Sequence, residues 1–417
     1  MNPFEISPTA LDDNFMNIKK IYPKSYNKKT ANPYTKCRII LLNGLEFESN
    51  WFMHQFARNC DNDEIKEALA IIRTQEQQQQ KRLACLKPIN ESILETTIAY
   101  EQLAVDLTAT LAQHEKDINN KKALDFALLE DFDHLYRFSN LLYIDKHQES
   151  DMLVGRFTEI TPGRPTIAHP RYPKDNLKVH VNAKKADLYT KLVANIITAA
   201  EQQTMNYYMN IAQWYKNNLG RKLYSEIALV EEEHVTQYES LKDPTCSWLE
   251  QWLMHEYTEC YLYYSCFNEE KDPYIKGIFE DHFYTEVSHL HYVSNLLKKH
   301  ENTTYQKVLG TNGEFPELLK LGTNKDYVRD VLERTITLTG DKKDYTDIYN
   351  LPNSANFFMF QDKFISSEKD VPSHIVIEKM ISLNGKDYRF EDKKNPITNL
   401  TNRKKDNFTI AREKEKV

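Results

Sequence analysis

Through most of the chain the apolar positions recur at three- and four-residue intervals, the spacing that gathers them on one face of a helix. Residues 184–217, 221–241, 248–268 and 273–300 each carry such a stripe, and Asn218-Leu219-Gly220, Lys242-Asp243-Pro244 and Lys271-Asp272-Pro273 interrupt it. Asn, Gly and Pro at those points stop helices and turn chains. An earlier stretch reads the same way, with breaks at residues 59–63, 87–90 and 117–121. The pattern predicts an all-α fold built from two sets of four amphipathic helices. Residues 145–183 between the sets contain Thr161-Pro162-Gly163, Arg164-Pro165 and His169-Pro170-Arg171-Tyr172-Pro173, a connector too long for a mere turn. After His300 a short helix is predicted over 324–338, apolar runs follow at 357–364 and 374–381, and the charged tail 393–417 is expected to be loosely ordered.

The two sets share a register. Residues 135–142 read LYRFSNLL and residues 290–297 read LHYVSNLL, each preceded by a histidine, His134 and His289, so the offset is 289 − 134 = 155. The same offset maps Leu86-Lys87 onto Leu241-Lys242 and Ser92-Ile93-Leu94-Glu95 onto Ser247-Trp248-Leu249-Glu250. Both S-x-x-E segments are capping boxes, so each marks a helix start. Tandem duplication is the economical explanation. The predicted divisions are an N-terminal extension (1–36), a bundle (37–144), the connector (145–183), a second bundle (184–300) and a C-terminal mixed extension (301–417).

Composition supports large cores rather than a disordered chain, with 41% hydrophobic and 28% charged residues in 417. The 10 glycines argue against turn-rich β architectures and glycine-rich phosphate loops. A net charge of −7 makes nucleic acid or an anionic membrane an unfavourable main partner. No apolar run of about 18 residues occurs, and a cytoplasmic protein is expected. Cys37, Cys60, Cys85, Cys246, Cys260 and Cys266 form no C-x-x-C pair and read as reduced, mostly buried thiols.

Chemistry enters through acid spacing. Glu231-x-x-His234 and Glu286-x-x-His289 place a carboxylate and an imidazole on one helix face. Each is preceded by an acid at the same distance: Glu201, with 231 − 201 = 30, and Glu256, with 286 − 256 = 30. Shifted by 155, the pattern returns as Glu46 and Glu76, then Glu101 and Asp131 with His134. About 13 residues out, a tight turn and about 13 back return a chain to the same height on a neighbouring helix, so each pair faces across a hairpin. Two hairpins together would converge four carboxylates and two imidazoles, a recipe for two transition metals. The first copy departs from this: Gln79 stands where 234 − 155 = 79 would call for histidine, and Asp131 is shorter than Glu286. Glu46, Glu76, Glu101, Asp131 and His134 therefore read as a degenerate site.

This arrangement resembles the ferritin-like diiron carboxylate superfamily, which includes rubrerythrins, ferritins and manganese catalases. The resemblance implies tandem ferritin-like four-helix bundles, with Glu201, Glu231, His234, Glu256, Glu286 and His289 holding two iron or manganese ions and Glu231 and Glu286 bridging them. It implies a non-haem oxidoreductase, of oxidase or peroxidase type, that reacts with O2 or peroxide and takes electrons from a reductant or substrate the sequence does not identify. A non-catalytic iron-binding or sensing protein, or a structural interaction protein on the same bundle, is the alternative. Glu231 and Glu256 are only 256 − 231 = 25 residues apart, which would run the two E-x-x-H helices parallel. Hairpins pairing across the copies, or across two chains of a homodimer, is the other arrangement open. Glu259 is a candidate extra ligand, with Ala104 as its counterpart. His282, one turn before Glu286, reads as a surface residue, with a place behind the ligands or in proton transfer as its alternative; His255 reads as packing or surface, Glu232 and Glu233 as solvent-facing, and Tyr207, Tyr208, Tyr257, Tyr261, Tyr263 and Tyr264 as core aromatics that could include a redox-active phenol.

Overall fold

The computed structural model describes residues 1–413. In chain order its α-helices are α1 (Ile18–Ile21), α2 (Pro33–Arg58), α3 (Asp63–Ala84), α4 (Ile93–His114), α5 (Ile118–Lys146), α6 (Leu188–Trp214), α7 (Asn218–Glu239), α8 (Trp248–Glu269), α9 (Pro273–Glu301), α10 (Tyr305–Leu309), α11 (Lys325–Thr335), α12 (Asn356–Phe364) and α13 (Pro372–Asn384). Strands β1 (Leu338–Asp341) and β2 (Asp344–Asp347) form one antiparallel hairpin. The apolar runs near 357–364 and 374–381 are thus helices. Among the described residues no helix is long and apolar enough to cross a membrane.

The helix ends explain how so few glycines suffice. α3 and α7 start at Asn62 and Asn217, α4 and α8 at the capping boxes of Ser92 and Ser247, α5 and α9 at Asp117 and Asp272, and in each case the side-chain oxygen accepts a backbone N–H. α5 and α9 end on His147 and Asn302, both left-handed, with φ of 52° and 50°. The bounds of α3 and α7, of α4 and α8, and of α5 and α9 all differ by 155, as in 218 − 63 = 155.

The chain folds as two compact units. The first comprises Met1–Asn90, His180–Gln203 and Lys242–Lys320, and the second Glu91–Val179, Thr204–Leu241 and Leu321–Val417. This differs from the division expected along the sequence: hairpin α2–α3 shares a unit with α8–α9, and hairpin α4–α5 shares one with α7. Each hairpin buries one apolar face, and nothing in the period of that face states which other hairpin will cover it. Of the arrangements open at the sequence level, pairing of the α2–α3 and α8–α9 hairpins across the copies is the one adopted.

In the first unit Leu41, Leu45, Leu69, Ile72, Leu253, Cys260, Phe279 and Leu290 are buried between the two hairpins, each such side chain contributing about 1.5–3 kcal/mol. The first-unit stretch of α6 crosses α2 so closely at Gly44 that a Cβ there would lie 2.7 Å from Gln203 Cβ. In the second unit Leu128, Phe132, Leu135, Tyr136, Phe138, Tyr208, Tyr224 and Ile227 form the core, with Val331 of α11 and Val376 of α13 packed into it. The connector is part of this core rather than a surface linker, since residues 158–171 are all buried. Gly163 makes that possible: a Cβ there would come within 2.4 Å of Leu129 O. The charged tail is also ordered where it is described, contrary to expectation. Leu400, Asn407 and Ala411 are buried, and Asp406 pairs with buried Arg137 at 2.7 Å. The acids of the tail thus satisfy a cation of the core. Residues 414–417 of the expected tail lie outside the described residues.

Candidate metal centres

In the first unit the turn at Asn62 returns the chain so that Glu46 on α2 and Glu76 on α3 stand at one height, and α8–α9 does the same for Glu256 and Glu286. All four are fully buried, as are Glu259 and His289. Ligand atoms of Glu76, Glu256, Glu286 and His289 lie within 4.8 Å of one another, and so do those of Glu46, Glu76 and Glu259. His289 Nδ1 is 3.0 Å from Glu76, 3.1 Å from Glu286 and 3.6 Å from Glu256, while its Nε2 meets Gln75 Oε1 at 2.8 Å. Gln79 Nε2 donates to Glu46 at 3.1 Å and also to Glu286. Trp252 Nε1 donates to Glu256 at 2.6 Å, and Tyr263 donates its hydroxyl to Glu46.

Five carboxylates therefore share this interior with one imidazole. Among the described residues no lysine or arginine pairs with any of the five. Burial, reinforced by neighbouring carboxylates, pushes Glu46, Glu256 and Glu259 well above the usual carboxylate range and Glu286 up to about 7. Burial pushes Glu76 up too, but His289 outweighs it and holds the carboxyl low. His289 is disfavoured as a cation by burial, yet Glu286 and Glu76 raise it well above the ordinary imidazole value. No amide, hydroxyl or basic group donates to either carboxyl oxygen of Glu259 or to Glu46 Oε2, and both acids lie within hydrogen-bond reach of the Glu76 carboxyl. Buried acceptors without donors are costly, and a cation at this point would satisfy them.

The second unit brings together Glu101 on α4, Asp131 and His134 on α5, and Glu231 and His234 on α7. His134 Nδ1 lies 2.9 Å from Glu231, and His234 Nδ1 lies 3.2 Å from Glu231 and 3.5 Å from Asp131. Ligand atoms of Glu101, His134 and Glu231 fall within 4.8 Å of one another. Tyr208 donates its hydroxyl to Glu101. Here basic side chains face the acids. Burial alone would raise Glu231, but His134 and then His234 pull it far below its ordinary value. His234 Nε2 is 2.7 Å from Glu130 Oε2, and Glu130 in turn accepts from Arg164 at 2.7 Å and Arg171 at 2.6 Å. A carboxylate behind a histidine fixes the ring and leaves its other nitrogen facing the centre.

The six residues expected to form one site are thus distributed: Glu231 and His234 belong to the second unit, and Glu256, Glu286 and His289 to the first. Glu201 is buried on the stretch of α6 that belongs to the first unit, just before that helix passes into the second. The five residues read as a degenerate site are shared out likewise, Glu46 and Glu76 in the first unit and Glu101, Asp131 and His134 in the second. His282, expected at the surface, is buried with Nδ1 3.0 Å from Tyr263 Oη. Its neighbours Phe279 and Phe283 are buried beside it, so the helix face around it is interior. His255 packs on Phe52 with ring centroids 4.4 Å apart and pairs with Glu48 at 2.9 Å. Glu232 is exposed, whereas Glu233 is half-buried and accepts from the backbone N–H of Arg171 at 3.1 Å. Tyr208 and Tyr263 touch cluster carboxylates, while Tyr257 and Tyr261 donate to backbone carbonyls of Gly313 and Glu317. Glu130, Arg164 and Arg171 carried no motif; their one signal was two adjacent acids, Glu130-Asp131, inside an otherwise apolar run. The six cysteines are free. No protein-family model, curated protein or solved structure matches the chain.

Proposed function

We propose that this chain is a metal-binding protein of the ferritin-like diiron carboxylate kind, duplicated in tandem, and a non-haem oxidoreductase that reacts with O2 or peroxide. The observation that carries the reading is the first-unit interior, where five buried carboxylates face one imidazole and several oxygens have no donor. The residues fit divalent ions of iron or manganese. Carboxylates supply hard anionic oxygen, His289 supplies nitrogen, and the apolar surroundings exclude water. In the second unit Glu101, Asp131, His134, Glu231 and His234 would hold the ions. Such ions supply one-electron chemistry toward oxygen species. The protein's own part is positional: Gln79 and Trp252 hold carboxylates by donation, and Glu130, Arg164 and Arg171 fix His234.

The test is metal analysis of purified chain after reconstitution with iron(II) or manganese(II). Bound metal that falls in both Glu76→Ala and Glu231→Ala is expected; a chain that retains none overturns the reading. Turnover of O2 or peroxide by the loaded protein then separates an enzyme from a store or sensor.

A further inference from the structure

The first-unit cluster contains two ligand groups of different chemistry. Glu76, Glu256, Glu286 and His289 form one, and Glu46, Glu76 and Glu259 form the other, with Glu76 common to both. An imidazole serves the first group only. At the position where the second would receive one, Gln79 presents an amide whose nitrogen is committed to Glu46 and Glu286. Amide nitrogen donates protons and offers no lone pair to a metal. The same unit carries a compensating change. Glu259 corresponds through the 155-residue offset to Ala104, so the copy that supplies α8 has an acid where the other has a methyl group. Its side chain is fully buried, no amide, hydroxyl or basic group donates to either oxygen, its hydrogen-bond neighbour is the carboxyl of Glu76, and a carboxyl oxygen lies within 4.8 Å of those of Glu46 and Glu76. Three carboxyls facing one another at that depth point to a shared cation rather than to solvated acids.

We propose that the first unit holds two unlike metal positions joined by Glu76: one with nitrogen and oxygen donors at His289, suited to iron, and one with oxygen donors only, at Glu46, Glu76 and Glu259, suited to manganese(II). The inference rests on the metal-binding reading above and adds selectivity to it. Carboxylate-only sites favour hard cations, whereas imidazole shifts preference toward iron and later metals. Gln79 is a positioning residue here. By donating to Glu46 and Glu286 it aligns one carboxylate from each group.

The experiment uses the full chain, stripped of metal and dialysed anaerobically against equal concentrations of iron(II) and manganese(II), with retained metal counted by mass spectrometry and manganese followed by electron paramagnetic resonance. Relative to wild type, Glu259→Gln should lose about one manganese per chain and keep its iron. Gln79→His should exchange about one manganese for one iron, a gain that a merely structural role would not produce. If Glu259→Gln fails to fold, the Gln79→His exchange decides. Metal retained but with unchanged manganese and iron in either folded variant overturns this inference and leaves the metal-binding reading standing. A wild-type chain that retains no metal overturns both.

Discussion

The two clusters reach charge balance by different means. In the second unit the protein supplies basic partners itself: Arg164 and Arg171 flank Glu130, and the imidazoles of His134 and His234 lie beside Glu231. In the first, five carboxylates have only His289, and burial among one another pushes Glu46, Glu256, Glu259 and Glu286 above the usual carboxylate range. Two hairpin sets with matching helix ends have therefore become one cluster backed by two buried arginines and one that no lysine or arginine of the described residues pairs with. Metal should matter most to the first, and internal salt bridges to the second.

The largest effect should come from breaking the internal balance. Arg171→Met leaves Glu130 with one guanidinium fewer in a fully buried setting, and removing one partner of such a pair costs about 3–5 kcal/mol. Urea unfolding should show a loss of that order, and adding Glu130→Gln should deepen it rather than return it, because Arg164 is then buried without its carboxylate. A loss under about 1 kcal/mol for Arg171→Met would mean the second unit does not depend on its own cations. Metal removal should come next. At a metal concentration about a thousandfold above Kd, binding stabilises by roughly 4 kcal/mol, and the Tm of the chain should rise accordingly over the chelated form. Glu76→Gln removes the carboxylate common to both first-unit groups, so its apo form should be the more stable one and its metal-induced rise in Tm much smaller. An equal rise in wild type and variant would break the comparison.

A smaller contrast lies in pH. Glu226, half-buried on α7, is pushed up to about 7 by burial, against the opposing pull of hydrogen bonds from Ser373 N and Oγ at 2.8 and 2.9 Å. A carboxyl whose folded value lies above its unfolded value near 4.5 stabilises fully below about pH 4.5 and loses that contribution as pH rises through about 7. Its first-unit counterpart is Ile71, since 226 − 155 = 71, so the effect belongs to the second unit alone. Metal-loaded protein should lose stability between pH 4.5 and 7, and Glu226→Gln should flatten that slope. Partial exposure to water trims the change below the roughly 3 kcal/mol that a full shift would carry. An unchanged slope in the variant would place the pH dependence elsewhere.

Much of this was legible in the residues. Capping boxes at Ser92 and Ser247 and breaks near Asn62, Asp117 and Asp272 located helix starts, because caps are local and their chemistry is visible in one turn. The acid pairs followed from helix geometry, which needs only a count along the chain. Which hairpin meets which did not follow. Glu46 and Glu256 lie on α2 and α8, and no local signal couples helices so far apart in sequence; the apolar stripes of α4 and α8 are equally able to cover α2. The outer residues were hidden for a related reason. Arg164 and Arg171 sit in a proline-punctuated connector without a motif, and only its burial beside Glu130 gives them a role. Glu259 was visible as an acid one turn from Glu256, while its meeting with Glu46 and Glu76 is a property of packing.

The smallest predicted effects compare two tyrosines in equivalent surroundings. Tyr263 donates to Glu46 in the first unit and Tyr208 donates to Glu101 in the second. Replacing either by phenylalanine deletes a buried hydrogen bond to a carboxylate and should cost about 1–2 kcal/mol. Tyr263 has a further contact, its oxygen lying 3.0 Å from His282 Nδ1, and His282 Nε2 meets no other group. Tyr263→Phe therefore strands an imidazole inside apolar packing, whereas Tyr208→Phe strands none, and the first should be the costlier change by about 1 kcal/mol. Replacing His282 by phenylalanine as well should return that difference, since an apolar ring has no group left to satisfy. Equal losses for the two tyrosine variants in chemical denaturation would show that His282 gains nothing from Tyr263, and the first-unit hydrogen-bond chain would then end at Glu46.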